Sequence, residues 1–158
     1  MLKNVPTSVE PAPLIPALLP FYNHARDLAW PLVRLIVGGA MLQHGIVKLM
    51  GPGIAAFAAG SMARRGIEPA LPMAYLIFFL ETAGATCIVL GLFTRFFAAA
   101  IAIELLVITF LVFFPNGYQF SAPGGGWEYP FMWGALFFTI ALRGGGPWSL
   151  DRLIGKEL

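Results

Sequence analysis

The chain has 158 residues, of which 58% are hydrophobic and only 11% charged, whereas a soluble domain is about 45–50% apolar and about 25% charged. This composition, with a mean hydropathy of +0.78, argues against a water-soluble globule and favours a single body embedded in lipid. The formal net charge is +2 and no cluster of four or more basic residues occurs, so nucleic acid is excluded as a partner. A single cysteine, Cys87, excludes an internal disulfide and a CxxC redox pair.

The Pro-rich segment 1–29 is predicted to form an N-terminal arm that lies extended on the membrane surface. Its prolines interrupt the apolar stretch from Leu14 to Phe21 before that stretch reaches the length of a signal-peptide core. We therefore expect the arm to be retained, with Trp30 at the level of the lipid headgroups. Docking of the arm onto a partner is the alternative interpretation.

Four apolar segments follow, separated by Pro, Gly and charged residues, at positions 30–50, 72–92, 96–114 and 129–142. Crossing the hydrocarbon core takes about 20 helical residues, a length that the first three segments reach and the fourth approaches if Trp127 and Glu128 begin it. The segments lack the strict two-residue alternation of a membrane β-barrel. The sequence therefore predicts an all-α, membrane-embedded four-helix bundle over residues 30–143, followed by a cytoplasmic tail at 144–158.

The connection between the first two segments predicts a short interfacial helix. From Ile54 onwards, Phe57, Ala58 and Met62 fall on one helical face, and Arg64 and Arg65 end the run.

The distribution of Lys and Arg predicts the orientation. The side that holds both termini has more basic residues than the other, so both termini are expected in the cytoplasm. The basic residues assigned to the side of the termini are Lys3, Arg26, Arg95, Arg143, Arg152 and Lys156, and those on the opposite side are Lys48, Arg64 and Arg65.

Several ionisable residues lie inside the apolar segments, where each costs about 2.5–3.5 kcal/mol at mid-helix unless it finds a partner or a water-filled cavity. At 100° per residue, Arg34, His44 and Lys48 share an arc of about 80° on the first helix. The second and third helices supply Glu81 and Glu104. We expect these five residues to form one buried polar network, with Glu128 at its outer mouth.

Two interpretations of this network stay open: a functional cavity, and ion pairs that only fix the helix register. Bis-histidine haem is excluded because His44 alone lies within a segment, and no metal is predicted because the spacing of known metal signatures is missing. A quinone fits, since its carbonyls accept hydrogen bonds and its redox chemistry exchanges protons with groups such as Glu and His. A route for protons or small solutes would fit equally well.

The chain resembles the DoxX family of small four-helix bacterial membrane proteins from about Val33 to Arg152. The motifs that carry this resemblance are Val33-Arg34-Leu35, Gln43-His44-Gly45 with Lys48-Leu49, Gly66-Ile67-Glu68-Pro69, Glu81 with Gly84, Gly91-Leu92-Phe93-Thr94-Arg95, and the tail Gly145-Gly146-Pro147-Trp148-Ser149-Leu150-Asp151-Arg152.

The resemblance implies a membrane subunit of a redox system, as in the DoxD relative that forms part of a thiosulfate:quinone oxidoreductase. The leading expectation is therefore a quinone-interacting subunit of an oxidoreductase assembly in the bacterial inner membrane. In it, His44, Glu81 and Glu104 would exchange protons, and Arg34, Lys48 and Glu128 would contact the ligand. A larger membrane or peripheral redox protein would be its partner, besides the lipid bilayer, and would hold the redox centre. The alternative is an accessory subunit without chemistry of its own.

Overall fold

The structure is a computed structural model that describes residues 13–158, and no β-strand occurs among them. Its helices are α1 (Leu19–Met50), α2 (Ile54–Phe57, continued by a π turn at Ala58–Met62 and a 3₁₀ turn at Ala63–Arg65), α3 (Ala70–Leu90), α4 (Thr94–Asn116), α5 (Glu128–Arg143) and α6 (Leu150–Ile154). The all-α fold class predicted from the sequence is confirmed for the described residues.

Within the described part of the chain, three helical stretches are long and apolar enough to cross a membrane, namely Pro16–Met50, Ala70–Leu90 and Thr94–Asn116. The fourth apolar segment forms α5, which has 16 residues and packs along α4. At 1.5 Å per residue α5 is about 24 Å long, short of the hydrocarbon thickness of about 30 Å. The crossing of the membrane by α5 stays a prediction, as does the interfacial position of α2.

Helix α1 begins at Leu19 and not near Trp30, so the expectation of an extended chain up to residue 29 is wrong for residues 19–29. Pro16 and Pro20 stand in the first turns of the 3₁₀ and α segments, where a missing N–H removes no hydrogen bond. The part of the arm at residues 1–12 lies outside the described residues. With 32 residues, α1 is about 48 Å long, more than the hydrocarbon core requires.

Glycines let α1 approach α3 closely. A Cβ at Gly38 would lie 2.8 Å from Val89 Cγ2, and one at Gly45 would lie 2.5 Å from Thr82 Cγ2. Small residues at such positions are typical of membrane helix interfaces, where close backbone approach replaces the hydrophobic effect as the source of packing energy. The main core includes this contact, and in it α1, α3, α4 and α5 bury side chains such as Ile88, Ile101 and Phe137.

The C-terminal segment is bonded to the end of the bundle where α3 meets α4. The Asp151 carboxylate accepts hydrogen bonds from the backbone N–H of Phe93 (2.7 Å) and of Thr94 (3.0 Å), and from the Thr94 hydroxyl (2.6 Å). These bonds satisfy otherwise orphaned donors at the start of α4. Trp30 Nε1 donates to Gly144 O at 2.9 Å, so α1 is tied to the same segment.

Candidate functional site

A cavity of about 730 Å³ lies between α1, α2, α3, α4 and α5; it extends along α4 from Phe96 to Phe113, and α2 forms part of its wall. Its volume falls in the range of about 300–1,000 Å³ that is usual for small-molecule sites. Most of the wall is aliphatic or aromatic, and the aromatic side chains include Phe57, Phe79, Phe96, Phe113, Tyr129 and Trp133. The polar side chains in the wall include His44, Lys48, Ser61, Arg65, Glu81 and Glu104.

Each of three π turns contributes to this wall. Ser61 lies in the π turn of α2, Glu81 in the π turn Leu80–Gly84 of α3, and Phe113 in the π turn Thr109–Phe113 of α4. A π turn inserts one residue into the helical repeat and re-aims the side chains around it, and such turns are frequent at functional sites. The local backbone therefore sets which side chains of α3 and α4 face the cavity.

Lys48 and Glu81, two members of the predicted polar network, form an ion pair. Lys48 Nζ donates to both carboxylate oxygens of Glu81, at 2.7 and 2.6 Å. Gly45 lies against the Glu81 backbone, and Lys48 follows it one helical turn later on the same face of α1. The ammonium also lies 5.2 Å from the centroid of the Phe57 ring, a cation–π distance.

Glu104 lines the same cavity. The residue is 8% exposed, and neither of its carboxylate oxygens makes a hydrogen bond to any residue in the range 13–158. It lies within electrostatic range of both Glu81 and Lys48, although Lys48 is already bonded to Glu81. A buried, unpaired carboxylate costs several kcal/mol, so Glu104 in this environment needs a proton or a bound partner.

His44 and Arg65 complete the polar wall. His44 lies one helical turn before Lys48 and interacts electrostatically with Glu81. Arg65 Nη1 donates to the carbonyl oxygen and to the hydroxyl of Ser61, at 2.8 and 2.7 Å, so its guanidinium is bonded within α2. The structure thus brings His44, Lys48, Glu81 and Glu104 to one cavity.

Arg34 does not belong to this group, so its predicted place in the network is wrong. Its Nη2 donates to the carbonyl oxygens of Pro147 (3.2 Å) and Trp148 (2.8 Å), and it interacts electrostatically with Asp151. The residues share a helical face, but Lys48 lies about 21 Å further along α1 at 1.5 Å per residue. A shared face does not imply a shared depth, and Arg34 serves the contact between α1 and the tail.

Glu128 begins α5, and its Oε2 accepts a hydrogen bond from Phe120 N at 3.2 Å. It is absent from the residues that line the cavity, whereas its neighbours Tyr129 and Pro130 are present. The carboxylate therefore helps to hold the loop before α5, and its role at the mouth stays a prediction.

Residues that the charge pattern did not identify also shape the site. Part of the wall is aromatic and comes from Phe79 of α3, Phe113 of α4 and Trp133 of α5. The sequence does not predict that these side chains face the cavity, because aromatic residues are equally common on surfaces that face lipid. Within residues 13–158, no group of three or more His, Cys, Asp or Glu side chains is placed to hold a metal ion.

Comparison with known proteins yields one finding. The family model described as DoxX matches residues 29–113, which include α1 from its eleventh residue, α2, α3 and most of α4. No curated protein and no solved structure gives a significant match to the chain. The matched region contains His44, Lys48, Glu81 and Glu104, whereas α5 and the tail lie outside it.

Proposed function

The chain belongs to the DoxX family and carries apolar membrane-length helices, and from this premise we propose that it is an inner-membrane subunit of a redox system that binds a quinone in the cavity near α2. The observation that carries this proposal is the unpartnered Glu104 carboxyl in the wall of a cavity that is mostly aliphatic and aromatic. A quinone is lipophilic and has two carbonyl acceptors, so it matches both the apolar wall and the polar groups.

Hydrogen-bond donors in the wall would orient the ring. A protonated Glu104 donates to one carbonyl oxygen, and His44 or Lys48 can donate to another acceptor. The same groups exchange protons, which reduction or oxidation of a quinone requires. Phe79, Phe96 and Trp133 would offer ring faces for stacking.

Electrons would come from a larger membrane or peripheral partner, which would hold the redox centre. Basic residues support an orientation with the tail in the cytoplasm: Arg95, Arg143 and Arg152 lie at or near the end of the bundle that holds the tail. In this orientation α5 crosses the membrane as a fourth helix and α2 lies in the opposite interface.

The test measures binding of a short-chain ubiquinone to the purified protein in lipid nanodiscs. Quenching of tryptophan fluorescence reports the binding. We expect saturable quenching because Trp133 lines the cavity. Glu104→Leu removes a donor and should weaken binding about tenfold, which corresponds to about 1.4 kcal/mol. Glu68→Leu makes the same change at an exposed position outside the cavity and should leave binding unchanged.

A second pair of variants tests occupancy of the cavity without touching a charge. Ala100 lines the cavity, so Ala100→Trp should block quinone binding, whereas Ala135→Trp places the same group at an exposed position on α5 outside it. Binding that is insensitive to both Glu104→Leu and Ala100→Trp, or absent from the unmodified protein, would contradict the proposal. A large partner that co-purifies in stoichiometric amount with such a protein would instead support the accessory role.

A further inference from the structure

Glu104 has a second way to satisfy its charge that does not involve a quinone. A buried carboxyl group is stabilised either by a proton or by a nearby cation. Among residues 13–158, no cationic group is bonded to it, because the Lys48 ammonium is bonded to both oxygens of Glu81, and both oxygens of Glu104 lack a hydrogen-bond partner. The cavity therefore holds a carboxyl group whose charge has to be balanced by a proton or by a cationic ligand.

The wall of the cavity suits a cation that carries apolar groups. Tyr129 and Trp133 of α5, Phe79 of α3 and Phe96 of α4 line the same space as Glu104. Aromatic faces attract cations by about 0.5–2 kcal/mol each, most strongly where water is excluded. The protein already makes such a contact at this site, between Lys48 and the Phe57 ring.

We propose that the cavity also binds lipophilic organic cations, such as quaternary phosphonium or ammonium ions with aromatic substituents, by pairing their charge with the Glu104 carboxylate. Binding exchanges the ligand for the Glu104 proton, which leaves to the bulk solvent, so the net charge of the cavity is unchanged. The other charged or titratable groups in the wall are His44 and Lys48 on α1, Arg65 on α2, Glu81 on α3 and Tyr129 on α5. Of these, Lys48 and Glu81 neutralise one another, and Arg65 is bonded to Ser61.

This inference does not depend on quinone binding. Variants at position 104 distinguish binding of a cation from binding of a quinone. Glutamine at position 104 keeps an N–H donor for a quinone carbonyl but cannot carry a negative charge. Leucine at the same position offers neither a hydrogen-bond donor nor a negative charge. Glu104→Gln should therefore retain quinone binding and lose cation binding, whereas Glu104→Leu should weaken both.

The experiment measures binding of tetraphenylphosphonium to the full chain in nanodiscs by calorimetry, together with proton release in a weakly buffered solution. We expect saturable binding with release of about one proton, and at least a tenfold loss of affinity with no proton release in Glu104→Gln. Glu68→Gln is the matched control, because Glu68 is exposed and lies outside the cavity. Neutral triphenylphosphine oxide has a similar shape and should bind more weakly to the unmodified protein, without proton release.

The proposal is wrong if tetraphenylphosphonium does not bind, if it binds without releasing a proton, or if the neutral analogue binds as tightly. It is also wrong if Glu104→Gln binds the cation with unchanged affinity. Should that variant fail to fold, the proton release and the comparison with the neutral analogue still decide the question on the unmodified chain.

Discussion

Gly45 of α1 lies directly against the backbone of Glu81 in α3. A Cβ at position 45 would lie 3.1 Å from both the carbonyl carbon and the carbonyl oxygen of Glu81, and 2.5 Å from Thr82 Cγ2. The absent side chain thus lets the two helices meet where Glu81 leaves α3, and it brings Lys48 within hydrogen-bond distance of that carboxylate. The close packing of α1 on α3 and the Lys48–Glu81 ion pair therefore both depend on the glycine at position 45.

Gly45→Ala should separate α1 from α3 and weaken the Lys48–Glu81 pair. The neighbouring atoms belong partly to backbone and cannot rotate away, so we expect a lower melting temperature in detergent and weaker ligand binding. Gly39→Ala is the matched control in the same helix, because a Cβ there meets nothing within 4 Å. That variant should be neutral or stabilising by up to about 1 kcal/mol through the higher helix propensity of alanine. Equal melting temperatures for the two variants would refute a role for close contact at Gly45.

The Lys48–Glu81 pair should behave as a coupled unit. Lys48→Met leaves the buried Glu81 carboxylate without its counter-ion, and Glu81→Gln leaves the ammonium without its own, so each should destabilise the protein by about 3–5 kcal/mol. The double variant removes both charges and should recover much of that loss. A double-mutant cycle on unfolding of the purified protein measures the coupling. Additive effects of the two single changes would show that the pair contributes no interaction energy.

Arg34 should matter for stability and not for ligand binding. Its guanidinium bonds two carbonyl oxygens of the tail and lies where a Cβ on Gly91 would stand, so a lysine could not reproduce its planar shape. We expect Arg34→Lys to lower the melting temperature while the folded protein binds quinone and tetraphenylphosphonium with unchanged affinity. If Arg34→Lys lowered the ligand affinity without lowering the melting temperature, Arg34 would have a role in ligand binding after all.

The positions of charged residues within the apolar segments predict those features of the site that follow from the sequence of a single helix. Helical periodicity places His44 and Lys48 on one face, and the cost of charge in lipid identifies Glu81 as the partner of a cation. The contact of Arg34 with Trp148 could not be read in this way, because it joins residues far apart in the chain through backbone carbonyls, which every residue has. Depth along the helix, and not the face alone, separates Arg34 from the cavity.

Two further features depend on context that a single sequence does not carry. Prolines at positions 16 and 20 suggest interruption of the arm, yet proline also starts helices, and only the surrounding contacts decide between these outcomes. The π turn at Glu81 has no composition signal of its own, so the side chains that α3 presents to the cavity depend on one inserted residue. Glu104 is identifiable as a buried acid, but its lack of a partner emerges only when Lys48 is seen to be bonded elsewhere.

The proposed orientation predicts which ends of the molecule are accessible from each side of the membrane. After replacement of Cys87 by alanine, a cysteine is introduced either at the exposed Lys156 in the tail or at the exposed Ser121 in the loop before α5. A membrane-impermeant maleimide should label Ser121→Cys in intact spheroplasts and Lys156→Cys only in inverted vesicles, because basic residues at the tail end favour the cytoplasm. Labelling of both positions from the same side would show that α5 does not cross the bilayer as proposed. Labelling with the two sides exchanged would keep the crossing of α5 but reverse the orientation, so α2 would lie on the cytoplasmic side.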